Sequence, residues 1–394
     1  MMDNDGKTFS KQILAMFGVA LVAGFYMSLC NPLITVYLEE HDAGTVMISV
    51  LSTTYFVTVA LVSLFAASLI KRIGKGATIR VGLYFISVAT PLFLLTEALP
   101  LWFLLRIAMA IGFALILVGG QTRLNQLNNE SNRAMTNGLY AMSMTLGYGF
   151  GPFLGTSFYT QSPELTFVGC SVLTMLGVFL VLSKDPETNQ AALPQTANVD
   201  KWSLYKQISW PVHIAFCHGF FQATLFTMFP VFFLRLHDNV EDMGLVMLFM
   251  MVATLPSVLL MSYLADRANK LVILSICISV GLVALSGIAF STDFNSILMF
   301  GIMGGIGLGP VFPLAVSILT ERIDGELRTV GMGLTVSMVN MGSAIGPFAT
   351  ALVMEQFGDS YVFALTCALF VFVLLQGVIK PKSSIQYEPE VSAR

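Results

Sequence analysis

The sequence matches itself at a fixed displacement of 195 residues. Arg72 returns as Arg267, Lys75 as Lys270, Gly112 as Gly307, Arg133 as Arg328 and Gly138 as Gly333. The string Gly147-x-x-x-Gly151-Pro152-Phe153 returns as Gly342-x-x-x-Gly346-Pro347-Phe348, and no gap is needed from Arg72 to Phe348. Each copy covers several apolar segments, so the chain is expected to fold as two similar helical bundles facing one another. In membrane proteins built from such repeats, the interface between them is where a transported solute sits.

Lipid has to be the solvent. Apolar residues make up 56% of the chain and charged residues 11%, against about 25% charged in a soluble domain. The net charge of −3 carries no footprint for nucleic acid. Cys30, Cys170, Cys217, Cys277 and Cys367 all fall in apolar segments, at spacings that suit neither a zinc site nor a disulfide framework. No metal and no cofactor is expected. The first apolar stretch, 13–37, is too long for a cleaved signal and reads as a retained helix.

A helical span needs about 20 apolar residues. Twelve segments qualify: 12–38, 45–70, 76–96, 100–125, 134–160, 164–183, 208–235, 243–266, 269–291, 294–320, 328–356 and 360–380. They are continuous apolar runs, not the short alternating runs of a barrel. Lys and Arg collect on the cytoplasmic side of a membrane protein. With the amino terminus inside, only Arg106 and Arg235 of the 20 basic residues fall elsewhere, and the opposite loops carry Glu39, Glu40, Asp42, Asp238, Glu241, Asp242, Glu355 and Asp359. The expectation is therefore an all-α, multi-pass protein of the bacterial inner membrane, with twelve helices and both termini cytoplasmic. Residues 1–183 form the first six-helix bundle, 184–206 a polar linker, 207–380 the second bundle, and 381–394 a disordered cytoplasmic tail.

This arrangement resembles the major facilitator superfamily of secondary transporters, over nearly the whole chain. The family's loop pattern Gly-x-x-x-Asp-Arg-x-Gly-Arg-Arg between helices 2 and 3 is met here by Ala67-x-x-x-Lys71-Arg72-x-Gly74-Lys75-Gly76, with lysine at the acidic position. The second repeat has Ser262-x-x-x-Asp266-Arg267-x-Asn269-Lys270, where the Asp-Arg pair is present. Gly147-x-x-x-Gly151-Pro152-x-x-Gly155-Thr156 is similar to the signature of the family's drug and metabolite exporters. Arg106, with Ala110 and Gly112 following, resembles the helix 4 arginine signature of proton-coupled members.

Each motif has a physical reading of its own. Gly147, Gly151 and Gly155 line one face of a helix, and small residues let helices approach closely in lipid. Pro152 bends its helix, and Gly342, Gly346 and Pro347 repeat the device. Close packing and a pliable interface for alternating access are both compatible with it. Arg106 lies six residues past Pro100, about 9 Å along a helix, where a charge is costly and marks function. Asn31 sits at a similar depth beside Pro32, which is expected to break the first helix. Arg106 is suited to an anionic group on a solute, or to a carbonyl freed by Pro32. His218 and Gln222, four residues apart, share a helix face, and histidine titrates near neutral pH. Tyr55 and Asn340 complete the polar residues expected along the solute and proton pathway. No Asp or Glu reaches mid-membrane depth, so proton coupling would run through His218, outer carboxylates such as Glu39 and Glu40, or the solute.

Repeat symmetry also outlines a cytoplasmic gate of Lys71, Arg72, Arg133, Asp266, Arg267, Asp324, Glu326 and Arg328. Lys71 would face Asp324 or Glu326, and Asp266 would lie at a helix amino terminus beside Arg133, where an anion is favoured. The reading that follows is a monomeric secondary transporter, not an enzyme, exporting a small organic molecule such as a drug, siderophore or sugar-like metabolite against protons. Uptake or uncoupled facilitation of a polar or anionic nutrient is the alternative, with lipid flipping a third. No nucleotide motif supports an ATP-driven pump.

Overall fold

The computed structural model describes residues 10–128, 133–181, 201–323 and 325–379. Within them the chain forms thirteen α-helices that make twelve crossings. The first repeat contributes α1 (Lys11–Glu40), α2 (Thr45–Ile73), α3 (Lys75–Leu92), α4 (Leu99–Leu127), α5 (Arg133–Tyr159) and α6 (Pro163–Gly177). The second contributes α7 (Lys201–His237), α8 (Val240–Arg267), α9 (Lys270–Phe290), α10 (Phe294–Leu308), α11 (Val311–Arg322), α12 (Gly325–Phe357) and α13 (Ala364–Ile379). Helices are what an apolar solvent imposes, because they satisfy every backbone N–H and C=O within the segment. Leu64, Phe65, Leu259 and Phe290 are each at least 69% exposed, a surface that only lipid can cover.

Eleven of the crossings are apolar enough to be recognised as spans by composition alone. The twelfth is α5, a 27-residue helix of about 40 Å, whose Gly, Ser, Thr and Tyr content dilutes its hydropathy. It tolerates that content because it packs against protein: α1 on one side and α8 on the other.

Three sequence expectations are corrected here. The segment 294–320 is not one helix but α10 and α11, separated at Gly309 and Pro310. Pro310 has no N–H to donate, and hydroxyls from α8 reach in: Thr254 donates to the Gly305 carbonyl at 3.2 Å and Ser257 to that of Ile306 at 2.6 Å. Pro32 does not break α1, which runs unbroken through it. Residues 201–206, read as the end of the linker, belong to α7, while 184–200 and the 381–394 tail lie outside the described residues.

The repeat is visible in the packing. A Cβ on Gly24 would stand 2.2 Å from the Met144 carbonyl oxygen, and one on Gly147 2.4 Å from that of Leu21. In the second repeat, Gly219 meets Val339 O at 2.0 Å and Gly342 meets Phe216 O at 2.1 Å on the same construction. Thus α5 beds on α1, and α12 on α7, through backbone-to-backbone approach that only glycine permits. A serine hydroxyl bridges each seam: Ser28 Oγ donates to Gly147 O at 3.1 Å, and Ser343 Oγ to Gly219 O at 3.1 Å. The glycine string therefore packs α5 inside its own repeat. Contacts between repeats fall to other helices and faces: α2 on α12, α5 on α8, and α1 on α7. On α5 the residues that cross are Tyr148, Gly149 and Thr156, facing Phe226, Met251 and Gly244.

Candidate functional site

Three helices of the first repeat bring Arg106, Asn31 and Tyr55 together. Arg106 of α4 is 1% exposed. Its Nη2 donates to Asn31 Oδ1 of α1 at 3.0 Å, and its guanidinium lies over the Tyr55 ring of α2, 4.7 Å from the centroid. Asn31 is oriented in turn by its own amide, which donates to the Met27 carbonyl at 3.0 Å. Arg106 thus takes the side chain of Asn31 and not a carbonyl freed by Pro32.

The guanidinium is incompletely satisfied. Nε and Nη1 are buried and have no hydrogen-bond partner. Arginine stays charged at any physiological pH, and a buried charge without a counter-ion costs several kcal/mol. The Tyr26 hydroxyl of α1 is also buried and unpartnered. Tyr26 and Tyr55 both contact Phe113, with ring centroids 6.2 and 6.3 Å away. Beyond the Asn31 bond, the arrangement leaves two guanidinium nitrogens and one phenol without an acceptor, donors that suit an oxyanion.

A second group of polar residues lies on the other repeat. His218 stacks on Phe312 of α11, with centroids 5.0 Å apart and planes at 19°, just past the break between α10 and α11. Its Nδ1 is buried and unpartnered. Gln222 follows one turn later, half-buried, and Asn340 of α12 is half-buried as well. His213, in contrast, is structural: Tyr205 Oη is 2.7 Å from Nε2, and Nδ1 is 2.9 Å from Gln376 Oε1. The amide oxygen can only accept, so Nδ1 carries the proton and ties α7 to α13.

The site residues are not related by the repeat. Displacement by 195 carries Arg106 onto Gly301, Asn31 onto Phe226 and Tyr55 onto Met250. The scaffold is duplicated; the polar chemistry is not.

Two faces of the molecule carry the remaining charges. On the acidic face, Arg235 of α7 reaches Glu39 at the end of α1 (Nε to Oε1, 2.6 Å), Thr45 at the start of α2 (Nη2 to Oγ1, 2.9 Å) and Asp359 after α12 (Nη1 to Oδ1, 2.9 Å). Thr160 donates to Glu241 Oε1 at 3.2 Å, a third bond between repeats on this face. Sequence reasoning had isolated Arg235 as a cation on the wrong side. Its acidic surroundings were the available signal for this cluster, whereas Tyr26 gave none beyond being an aromatic in an apolar helix.

On the basic face, Lys270 contacts Glu321, donates to Ser317 Oγ at 2.8 Å and lies 3.7 Å from Asp266. Lys75 binds Gln126, Arg267 covers the Tyr263 ring at 4.2 Å, and Arg328 donates to the Thr320 carbonyl at 2.9 Å. Each of these contacts stays within one repeat. Lys71 and Arg72 are exposed. Asp324 and the side chains of Glu326 and Arg133 lie outside the described residues.

The profile of the Major Facilitator Superfamily matches residues 16–294 and 213–388. Among curated proteins, the chain is 24% identical to the uncharacterized MFS-type transporter YfkF of Bacillus subtilis (strain 168), with 92% of this chain and 94% of that one aligned. It is 22% identical to the uncharacterized MFS-type transporter YcaD of Escherichia coli O17:K52:H18 (strain UMN026 / ExPEC), covering 93% and 96%. Among solved structures it superimposes on the nucleoside transporter NupG with a TM-score of 0.77 at 12% identity, covering 94% and 100% of the two chains. It also superimposes on a bacterial homologue of the human lysosomal transporter Spinster, in an inward-facing, unoccupied conformation, with a TM-score of 0.73 at 12% identity, covering 95% and 94%.

Proposed function

Because the chain belongs to the Major Facilitator Superfamily and is thereby a multi-pass transporter of the bacterial inner membrane rather than an enzyme, we propose that its cargo is a small organic anion whose acidic group binds at Arg106. One observation carries the reading: a fully buried guanidinium with two nitrogens lacking acceptors and no carboxylate bonded to it among the described residues. An incoming oxyanion supplies the missing acceptors and the missing charge together.

The bias of basic residues supports a cytoplasmic position for both termini. The acidic face is then the outer one, and Arg235 closes it by joining α7 to α1 and α2. Helices α1–α6 and α7–α13 act as two bodies that tilt about the α1–α7, α2–α12 and α5–α8 contacts. Opening the outer side breaks the Arg235 bonds to Glu39 and Thr45 while the basic face closes. Glu39 accepts from Arg235 at 2.6 Å, and Glu40 accepts from Tyr159 at 2.6 Å.

Proton-coupled export is the second reading, favoured by the buried, unpartnered Nδ1 of His218. The glycine signature adds nothing to direction, since it packs α5 on α1 just as its copy packs α12 on α7.

The test is flux in proteoliposomes with and without an imposed pH gradient, using a radiolabelled panel of organic anions, cations and neutral solutes. Saturable anion flux should fall at least about 30-fold in Arg106→Gln, the loss of a buried charged hydrogen-bond partner being worth about 2–5 kcal/mol. Arg106→Lys should retain part of it. Flux of only neutral or cationic solutes, indifferent to Arg106→Gln, would overturn the assignment. Flux that follows the pH gradient and is lost in His218→Ala would select the second reading.

A further inference from the structure

Apart from the anion pole at Arg106, an aromatic pair crosses between the repeats. The Tyr55 ring lies under the guanidinium, and its centroid is 6.3 Å from that of Phe113. Tyr148 of α5 stacks on Phe226 of α7, with centroids 6.1 Å apart and planes at 24°. Phe226, Gln222 and His218 are spaced four residues apart on α7, so they form one stripe along that helix with a rise of about 6 Å per step. Together these give an unsatisfied cation, flat aromatic faces, and polar groups on α7.

The polar end is unsatisfied too. His218 Nδ1 is buried without a partner, and its ring is fixed against Phe312, so its ring plane is set while one nitrogen waits for a hydrogen bond. Leaving a buried polar nitrogen unpaired costs about 1–3 kcal/mol. Unpaired groups on both repeats, with a stacked aromatic pair crossing the interface, fit a ligand that spans it better than a small inorganic anion held by Arg106 alone.

We infer that the solute is a ring-bearing organic acid: its oxyanion binds Arg106 and Tyr26, its flat ring lies against Tyr148 and Phe226, and a hydroxyl or amide at its far end bonds Gln222 and His218. This rests on the assignment of an anionic solute to Arg106 and narrows it to a class. It also assigns the two repeats different tasks. The first neutralises charge, and the second reads the remote polar group.

Binding is measured on the purified, full-length protein by isothermal titration calorimetry with 4-hydroxybenzoate, benzoate, acetate and 4-hydroxybenzamide as probes. The expected order is 4-hydroxybenzoate tightest, benzoate about 10-fold weaker, and acetate and the uncharged benzamide weaker again by at least a further 10-fold. Gln222→Ala should erase the difference between 4-hydroxybenzoate and benzoate while leaving benzoate affinity unchanged. Arg106→Gln should weaken both acids and leave 4-hydroxybenzamide as it was. Acetate binding as tightly as the aromatic acids would sink the ring-bearing class and leave the anionic assignment standing. Equal binding of acid and amide, insensitive to Arg106→Gln, would sink both. A Gln222→Ala effect equal on both acids would refute the role given to α7. Circular dichroism of each variant separates loss of a contact from loss of fold.

Discussion

Removing the Arg235 side chain should open the acidic face by a calculable amount. Arg235 makes three hydrogen bonds, but only two of them join the repeats. Asp359 belongs to the same repeat as Arg235 and moves with it, so that pair survives the motion. Glu39 and Thr45 belong to the other repeat and are lost. The Glu39 contact is short, at 2.6 Å, and its carboxylate is 17% exposed against 33% for Arg235. A charged hydrogen bond in a buried setting contributes about 1.5–3 kcal/mol, and an exposed pair about 0–1 kcal/mol. At this partial exposure the Glu39 bond is worth about 1.5 kcal/mol, and the neutral Thr45 acceptor adds about 0.5 kcal/mol. The total of about 2 kcal/mol is about a 30-fold change in the ratio of closed to open states. Arg235→Gln should therefore shift a distance distribution measured by pulsed electron resonance between spin labels at positions 161 and 292, which lie on opposite repeats. Glu39→Gln should produce most of the same shift, and Asp359→Asn almost none. High salt should mimic part of the Arg235→Gln effect. If Asp359→Asn opened the face as far as Glu39→Gln does, or if none of the three moved the distribution, the assignment of this cluster to closure would be wrong.

Two further expectations concern the scaffold. Gly219→Ala forces α7 away from the Val339 carbonyl, which stands 2.0 Å from the new Cβ, and should lower stability by about 1–3 kcal/mol as an overpacked contact. The control is Gly333→Ala, which meets nothing within 4 Å and should be neutral or stabilising by up to about 1 kcal/mol through helix propensity; thermal unfolding in detergent distinguishes the two. Asp293 caps α10, accepting from the Ser296 N–H at 2.8 Å, and that bond holds its carboxyl below the usual carboxylate range. A depressed folded-state pKa means the contribution is present above the ordinary aspartate range and is lost as the pH falls through the folded value. Asp293→Asn, still a good cap, should flatten that acid limb of the stability profile.

Most of the scaffold is readable without coordinates. Apolar runs of about 20 residues can be satisfied in lipid only as helices, so eleven crossings follow from composition and the twelfth, α5, from its length and its repeat partner. The glycine strings lie at the α1–α5 and α7–α12 seams, where a missing side chain has meaning because backbones touch. The α10–α11 break was less legible. A Pro inside a span bends some helices and interrupts others: α1 passes through Pro32 unbroken, whereas Gly309 and Pro310 together, with Thr254 and Ser257 ready on α8, end α10. What the glycines pack against was likewise not readable. The string on α5 serves α1, and the neighbours Tyr148, Gly149 and Thr156 face the other repeat.

The candidate site divides in the same way. Arg106, Asn31 and Tyr55 stand out in the sequence as polar residues where lipid depth makes polarity costly, and that cost acts locally, one helix at a time. The cost of each polar residue in an apolar segment is therefore a property of the sequence itself. Whether Arg106 meets Asn31 or a carboxylate, whether Tyr26 joins it, and whether Arg235 binds across to Glu39 depend on the azimuth at which α1, α2, α4 and α7 are packed. That azimuth is set by which glycine seams and ridges fit together across separate helices, and no pattern within a single helix encodes it.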